Sequence, residues 1–270
     1  MQLDDIINTQ WLDAKSLQTQ YLNAKPYPHI VMHDFIKKDL LRSVLEEFPD
    51  LEKLSDSVYK FNNDKQIKFA SKGMKYLSPK ALYLNSYLQS DMMLNWLNDL
   101  SGIKETLISD PYLLGGGYHE IRSGGLLKVH ADFNKHSKLN LDRRLNLLIY
   151  LNEFWEDNWG GALELYDENL NSIKSIFPYF NTAVIFSTTS FTFHGHPDPL
   201  KCPENHSRKS LAYYYFSTGR PKNEISQQEH QTLWRNRSFE TNLISINPKR
   251  LINEITPPII WKTIKKIIGK

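Results

Sequence analysis

The sequence predicts an α+β protein in which helices support a mainly β core. Before residue 110, apolar side chains recur at the three- and four-residue spacing of amphipathic helices. After Pro111 the pattern changes to short apolar runs among glycines, without helical patterns between them. Many short strands at nearly even spacing are typical of a sandwich or barrel such as a jelly roll. We therefore predict a helical support region over 1–110, a jelly-roll core over 111–220 and a helical extension over 221–270.

The support region contains three predicted helices and one strand. Helical spacing covers residues 1–24, 38–48 and 80–100, and Gly102 is suited to end the third helix. Two prolines precede the apolar run 29–32, which we predict to be a strand. The lysine-rich stretch 51–80 is predicted to be a surface segment and a candidate lid.

Seven strands are predicted in the core. Each is a short β-prone run bounded by turn residues, such as the Gly160-Gly161 pair before the third. The predicted strands are 128–132, 145–151, 162–166, 172–177, 182–186, 192–194 and 210–217.

The composition is that of a globular protein and excludes some functional classes. With 270 residues, 40% of them hydrophobic, the chain can bury a sizeable core. A net charge of +3 gives no global field that would attract nucleic acid, so we expect no nucleic-acid partner. The lone cysteine, Cys202, cannot form an internal disulfide, which fits a reducing compartment.

The sequence also indicates a location. Its acidic, amphipathic start lacks the basic and apolar regions of a signal peptide. No apolar stretch approaches the roughly 20 residues that span a bilayer, so we expect no transmembrane segment and a cytoplasmic location. Residues 259–270 combine isoleucines with lysines. A helix packed on the core is favoured there over peripheral contact with an anionic membrane.

Three residues have the chemistry of a metal site. His130 and Asp132 are two apart on a predicted strand, so both side chains point to one face. His194 ends the aromatic run FTFH, and His196 shares its face and stays an alternative. Two imidazoles and one carboxylate leave coordination positions open, which favours non-haem Fe(II) over a closed structural site. A surface histidine beside a turn aspartate, or a core histidine, is the plainer interpretation.

Arg208 and Ser210 open another predicted strand and also share a face. Arginine holds carboxylates through a planar, bidentate contact, and a neighbouring hydroxyl adds a hydrogen bond. Tyr150 shares a strand face with Asn146 and Arg144, and its hydroxyl would need a polar partner in a barrel interior, which a bound carboxylate could supply. A surface ion pair and an ordinary core tyrosine are the alternatives.

The ordered set of motifs over 115–220 resembles the Fe(II)- and 2-oxoglutarate-dependent dioxygenases, and most of all their prolyl 4-hydroxylase-like branch. The motifs carrying the resemblance are His130-Ala131-Asp132, Tyr150-Leu151-Asn152, Gly160-Gly161-Ala162-Leu163, Pro178-Tyr179-Phe180-Asn181, His194 and Arg208-Lys209-Ser210. One departure is Ile121, which stands where prolyl hydroxylases often have a tyrosine, and it weakly disfavours prolyl specificity.

The resemblance implies a double-stranded β-helix with Fe(II) held by His130, Asp132 and His194. It places the 5-carboxylate of 2-oxoglutarate on Arg208, with Tyr150, Ser210 and Asn146 as further co-substrate residues. Oxygen and 2-oxoglutarate would be consumed to give succinate, CO2 and a hydroxylated C–H bond. The resemblance also admits ascorbate as an additional cofactor.

The expected activity is thus hydroxylation of a peptidyl residue such as proline, or of a small molecule such as an amino acid or sugar. Two alternatives stay open. One is a catalytically inactive, cupin-like binding protein, which would have no need of a carboxylate anchor such as Arg208. The other is a metal hydrolase or isomerase on the same fold, which would not need 2-oxoglutarate.

Overall fold

Two antiparallel sheets form the centre of the fold in the computed structural model, which describes residues 2–54, 57–226 and 230–237. The helices are α1 (Ala14–Asn23), α2 (Lys38–Glu46), α3 (Pro79–Leu88) and α4 (Asp91–Ser101). The strands are β1 (His29–Met32), β2 (Val58–Asn62), β3 (Ile67–Ser71), β4 (Gly117–Arg122), β5 (Leu127–Ala131), β6 (Asp142–Tyr150), β7 (Leu163–Tyr166), β8 (Ser172–Ile176), β9 (Ala183–Ser187), β10 (Phe193–His196), β11 (Ser207–Ser217) and β12 (Leu233–Trp234).

The larger sheet has the order β1-β9-β6-β11-β4-β3-β2, and the smaller sheet has the order β12-β5-β10-β7-β8. Short strands from distant parts of the chain alternate in both sheets. This is the jelly-roll core that the strand pattern predicts.

The two faces of the larger sheet have different neighbours. Odd-numbered residues such as Leu147 and Tyr213 join one apolar cluster with the helices, and the Tyr215 hydroxyl donates to the Leu88 carbonyl of α3 at 2.9 Å. Even-numbered Tyr150 packs with residues of the smaller sheet such as Leu165. Because side chains alternate along a strand, the helices cover one face and the other face lines the interior between the sheets.

The support region contributes strands as well as helices. Strand β1 pairs with β9, and β3 pairs with β4, so three strands before residue 110 belong to the larger sheet. The stretch 51–80 contains the hairpin β2–β3 rather than only a surface loop. Its lysines lie over aromatic rings of the facing strand, with Lys68 Nζ 5.4 Å from the Phe61 ring centre. Because of these lysines, the stretch does not show the apolar alternation by which a strand is recognised in the sequence.

The domain boundaries predicted at residues 110 and 220 stay predictions.

The predicted helices differ from the observed ones at their ends. Residues 1–24 contain two short 3-10 turns, and α1 begins only after Asp13, whose side chain accepts from the Ser16 amide. The predicted helix 80–100 is two helices, because the Ser90 side chain caps the start of α4 by accepting from the Met93 amide. Helix α4 ends at Gly102, in the left-handed conformation that the sequence predicts there.

Contacts divide the chain into one compact unit, Met1–Arg235, and a second, Asn236–Lys270. The basic helix predicted over 259–270 lies outside the described residues. Within the described parts of the chain, no helix has the length and apolar character required to cross a membrane.

Candidate metal centre

Three potential metal ligands converge on two neighbouring strands of the smaller sheet, β5 and β10. His130 on β5 lies directly opposite His194 on β10, and Asp132 follows the end of β5. One ligand atom from each residue lies within 4.8 Å of the others. His130 Nε2 is 3.6 Å from Asp132 Oδ1, and His194 Nε2 is 3.5 Å from Asp132 Oδ2. Strand pairing thus brings together His130 and His194, which are 64 positions apart in the sequence.

Backbone carbonyls fix the orientation of both imidazoles. His130 Nδ1 lies 2.8 Å from the Lys128 carbonyl oxygen, and His194 Nδ1 lies 3.1 Å from that of Thr192. A carbonyl can only accept, so Nδ1 carries a proton in each ring, and Nε2 is the nitrogen that faces Asp132. Carbonyl partners of this kind hold histidine ligands at metal sites.

Two side chains of β6 hold the Asp132 carboxylate. Oδ2 accepts from Asn146 Nδ2 at 2.7 Å and from Arg143 Nη2 at 3.0 Å, and Arg143 also donates to Asn146 Oδ1. Burial opposes ionisation, but Arg143 and the two histidines outweigh it and hold the pKa of Asp132 well below its usual range. The carboxylate is therefore ionised at neutral pH. In the structure the Asn146 amide contacts Asp132. Its predicted role in co-substrate binding stays a prediction.

Arg143 lies at the site, although counting alternate residues back from Tyr150 along the strand does not predict it there. Simple alternation puts Arg144 on the face of Tyr150, but a bulge opposite Tyr215 and Phe216 shifts the register of β6. Arg143 consequently faces Asp132, whereas Arg144 pairs with Glu105. The Arg143 guanidinium is 1% exposed and its central carbon lies 3.5 Å from the ring centre of Tyr214. The paired arginines before the predicted strand are the only sequence signal.

The electrostatics of the centre suit a cation. Burial first, and then His130, lower the pKa of His194 to about 4, while Asp132 acts in the opposite direction. His194 is therefore a neutral imidazole at neutral pH, which is the metal-binding form. The His194 and His130 imidazoles and one ionised carboxylate are a donor set that fits a divalent transition metal with open positions.

Arg208 lies in the interior between the sheets and not at the surface. It is 6% exposed, and it donates to the Gly161 carbonyl at 2.8 Å and to the Tyr150 hydroxyl at 3.0 Å. No carboxylate of the described residues forms a salt bridge with it. Burial raises the pKa of Tyr150 and Arg208 opposes this rise, so the hydroxyl is protonated. Ser210, 3% exposed, lies opposite Tyr150 in the sheet. This group is a buried cationic site whose arginine has no carboxylate partner within the described parts of the chain.

Two further histidines line the same interior. His119 pairs with Ser210 across β4 and β11, and its Nε2 lies 2.8 Å from the Gly115 carbonyl oxygen. Burial and then Lys68 lower the pKa of His119 to about 3. His196 is 3% exposed. Among the described residues, the second histidine of the ligand cluster is His194 and not His196. Burial, followed by Arg208 and Lys68, keeps the pKa of His196 well below its usual value.

A cavity of about 310 Å³ opens directly at His130 and Asp132. Five aromatic side chains line its walls, from β2, the end of β5, β11 and β12: Tyr59, Phe61, Phe133, Tyr214 and Trp234. The Trp234 ring centre is 5.1 Å from that of His130. Lys68 also lines the cavity, and burial lowers its pKa to about 8 although Asp132 opposes this. The predicted lid region therefore supplies part of the cavity wall through the hairpin β2–β3, and its role as a lid stays a prediction.

Comparisons with known proteins agree on one superfamily. The family profile described as "2OG-Fe(II) oxygenase superfamily" matches residues 116–216. The mouse protein "Prolyl 3-hydroxylase OGFOD1" is 27% identical over 257 residues, covering 86% of this chain and 43% of the relative. The Xenopus laevis protein of the same name is 26% identical over 181 residues, covering 64% and 32%. The chain thus spans less than half the length of these curated relatives.

Solved structures share the fold at low sequence identity. A Pseudomonas putida prolyl-4-hydroxylase has a TM-score of 0.53 and 14% identity, covering 76% of this chain and 99% of that chain. A Trichoplax adhaerens prolyl hydroxylase, in complex with a hypoxia inducible factor oxygen degradation domain peptide fragment, has a TM-score of 0.56 and 18% identity, covering 77% and 91%. At these identities the likeness shows the fold.

Proposed function

We propose that this chain, whose residues 116–216 form a domain of the 2OG-Fe(II) oxygenase superfamily of the prolyl 4-hydroxylase-like kind, hydroxylates a C–H bond with Fe(II) and 2-oxoglutarate. One observation carries the proposal. The interior that holds the His130, Asp132 and His194 cluster also holds Arg208, which is buried and lacks a carboxylate partner among the described residues. A metal site next to a cationic site suits a dicarboxylate that binds both.

The three ligand residues fit Fe(II). Their donors are two imidazole nitrogens and a carboxylate, the set that leaves positions open on non-haem iron. Bound Fe(II), with oxygen and 2-oxoglutarate, supplies the oxidation that places one oxygen atom on the substrate and one in succinate, with release of CO2. His130, Asp132 and His194 would hold the metal.

The surrounding residues would position the co-substrate and the carboxylate ligand. Arg143 and Asn146 occupy Asp132 Oδ2, which leaves Oδ1 free for the metal. Arg208 and the Tyr150 hydroxyl would bind the 5-carboxylate of 2-oxoglutarate, and Ser210 lies beside them. The aromatic walls of the cavity would exclude water from the reacting atoms.

We favour a prolyl residue of a peptide as the substrate. The two curated relatives are named prolyl 3-hydroxylases, and the mouse protein covers 86% of this chain. A pyrrolidine ring is apolar and compact, so it can pack against Phe133, Trp234 and Tyr59 at the cavity. A small molecule such as an amino acid or sugar stays the second candidate. Ile121, at the position where prolyl hydroxylases often have tyrosine, is the feature that keeps it open.

A spectroscopic and product assay tests the function. Purified protein is mixed anaerobically with Fe(II) and 2-oxoglutarate, and air is then admitted with a library of proline-containing peptides. We expect a visible charge-transfer band first, and then succinate together with a peptide gain of one oxygen atom. Intact, metal-loaded protein that shows neither the band nor succinate would exclude the proposal. Turnover of a substrate without 2-oxoglutarate would favour a hydrolase or isomerase, and metal binding alone would favour an inactive binding protein.

The cytoplasmic location, the dependence on ascorbate and the absence of a nucleic-acid partner stay predictions from the sequence. Peripheral membrane contact through 259–270 also stays a prediction.

A further inference from the structure

We propose that the imidazole of His196 donates a hydrogen bond to the bound dicarboxylate co-substrate and helps to select it. This inference rests on the proposed function, because it assigns a further residue to the same chamber. It also gives a role to the second histidine of the HGH sequence, which the metal cluster does not use.

The first observation is an unpaired, buried ring. His196 is 3% exposed, and neither Nδ1 nor Nε2 has a hydrogen-bond partner among the described residues. The other histidines of the site, His119, His130 and His194, each have a ring nitrogen against a backbone carbonyl. Buried polar groups are normally paired, and an unpaired one destabilises the folded protein. An unpaired ring in this interior therefore indicates a partner that arrives with a ligand.

The second observation is the position of the ring. His196 follows His194 by two residues on β10, and a bulge shifts its partner on β5 to Leu127. The intervening residue must be glycine, since a Cβ at Gly195 would lie 2.8 Å from the Leu127 carbonyl oxygen. The backbones of β10 and β5 thus approach closely at Gly195, and this packing holds His196 in the interior.

The third observation is the charge around the ring. The charged side chains that act most strongly on His196 are Arg208 and Lys68, and both are cations. A neutral ligand group would leave Arg208 without an anionic partner among the described residues, whereas Asp132 acts on Lys68. An N–H donor near two cations is suited to a carboxylate, which can accept several hydrogen bonds at once.

A purely structural role explains the ring less well. A leucine would fill a similar volume in the interior without two unpaired nitrogens. A fourth metal ligand is also a poor explanation, because the ligand atoms that converge on Asp132 belong to His130 and His194.

The experiment compares His196→Leu and His196→Gln with the parent protein. Zn(II) replaces Fe(II) so that no turnover occurs, and 2-oxoglutarate affinity is measured by calorimetric titration. We expect His196→Leu to weaken 2-oxoglutarate binding by roughly ten- to a hundredfold, the effect of one hydrogen bond to a charged group. His196→Gln keeps an N–H donor and should recover part of the affinity. Affinity for Zn(II) should stay unchanged in both variants.

Thermal unfolding supplies a second, independent result. Without 2-oxoglutarate, His196→Leu should unfold at the same or a higher temperature than the parent, because it removes unpaired buried atoms. The stabilisation by added 2-oxoglutarate should shrink in this variant. The control is His29→Leu, since His29 is 6% exposed but has a partner, its Nδ1 lying 2.8 Å from the Tyr27 carbonyl oxygen. That variant should unfold earlier and keep the full stabilisation by 2-oxoglutarate.

The outcomes separate this inference from the proposed function. If the parent binds 2-oxoglutarate and His196→Leu binds it equally well, the ring meets only an ordered water and the inference is wrong. Loss of Zn(II) in His196→Leu would make His196 a metal ligand and would also overturn it. If the parent itself binds no 2-oxoglutarate, both the proposed function and this inference fail.

Discussion

Arg143 donates from Nη2 to Oδ2 of Asp132 at 3.0 Å, and this ion pair lies under the rings of Tyr214 and Phe133. Asn146 adds a second donor to the same oxygen. One oxygen of the carboxylate is therefore committed to the protein, while the other faces His130 Nε2. Strand β6 therefore supplies the two donors that hold the Asp132 carboxylate.

Replacing Arg143 should weaken metal binding. We expect Arg143→Met to lower Fe(II) or Zn(II) affinity about tenfold to a hundredfold, the usual effect of losing a group that orients a ligand. The matched control is Arg144→Met, because Arg144 is also buried, at 4% exposure, but pairs with Glu105. Metal titration followed by a competing chelator measures both. Equal loss of metal affinity in the two variants would contradict a specific role for Arg143.

The proposed metal and co-substrate roles should separate in two variants. His130→Ala should lose metal binding, because it removes one of three donors. Arg208→Ala should keep the metal and weaken 2-oxoglutarate binding by at least roughly tenfold, since a charge-assisted pair is lost. Metal content and 2-oxoglutarate titration with Zn(II) are the measurements. If both variants lost metal to the same extent, the assigned roles would be wrong.

The two neighbouring glycines before β7 should respond differently to a methyl group. A Cβ at Gly161 would lie 2.5 Å from Leu200 Cδ2 and 3.2 Å from Arg208 Cδ, whereas a Cβ at Gly160 meets nothing within 4 Å. Both have positive φ, 75° and 73°, so each substitution strains the backbone by roughly 1–3 kcal/mol. Only Gly161→Ala should also displace Arg208 and weaken 2-oxoglutarate binding. Equal affinity in the two alanine variants would show that the Arg208 position tolerates this crowding.

His119 should make the stability of the protein depend on pH. Burial and Lys68 lower its pKa from 6.5 to about 3, so between these values the unfolded state binds a proton that the folded state does not. Stability from this residue is therefore present above pH 6.5 and is lost as the pH falls toward 3. Between pH 7 and pH 5 the parent should lose up to about 2 kcal/mol more than His119→Gln. Urea unfolding at both pH values measures this difference, and identical losses in the two proteins would refute the assignment.

Local patterns predict much of the site. The two-residue spacings of His130 with Asp132 and of Arg208 with Ser210 put each pair on one face of a strand, because side chains alternate along extended backbone. The nearly even spacing of short β-prone runs among glycines predicts the jelly-roll core. These statements need only neighbouring residues, so the sequence is sufficient for them.

Other features depend on strands that are distant in the sequence. The pairing of β10 with β5 sets His194 opposite His130 and leaves His196 at the other side of a bulge. A second bulge, in β6, turns Arg143 toward Asp132, where plain alternation predicts Arg144. The hairpin β2–β3 joins the larger sheet by pairing β3 with β4. The many lysines of the hairpin make its strands hard to recognise in the sequence.

The sequence by itself predicted the candidate site residues, and it determined which face of its strand each of them occupies, apart from Arg143 and Arg144. Only the tertiary structure decided which histidine meets Asp132 and which arginine holds it. The physical reason is that alternation repeats every two residues along one strand, whereas register and bulges arise from the packing of several strands together.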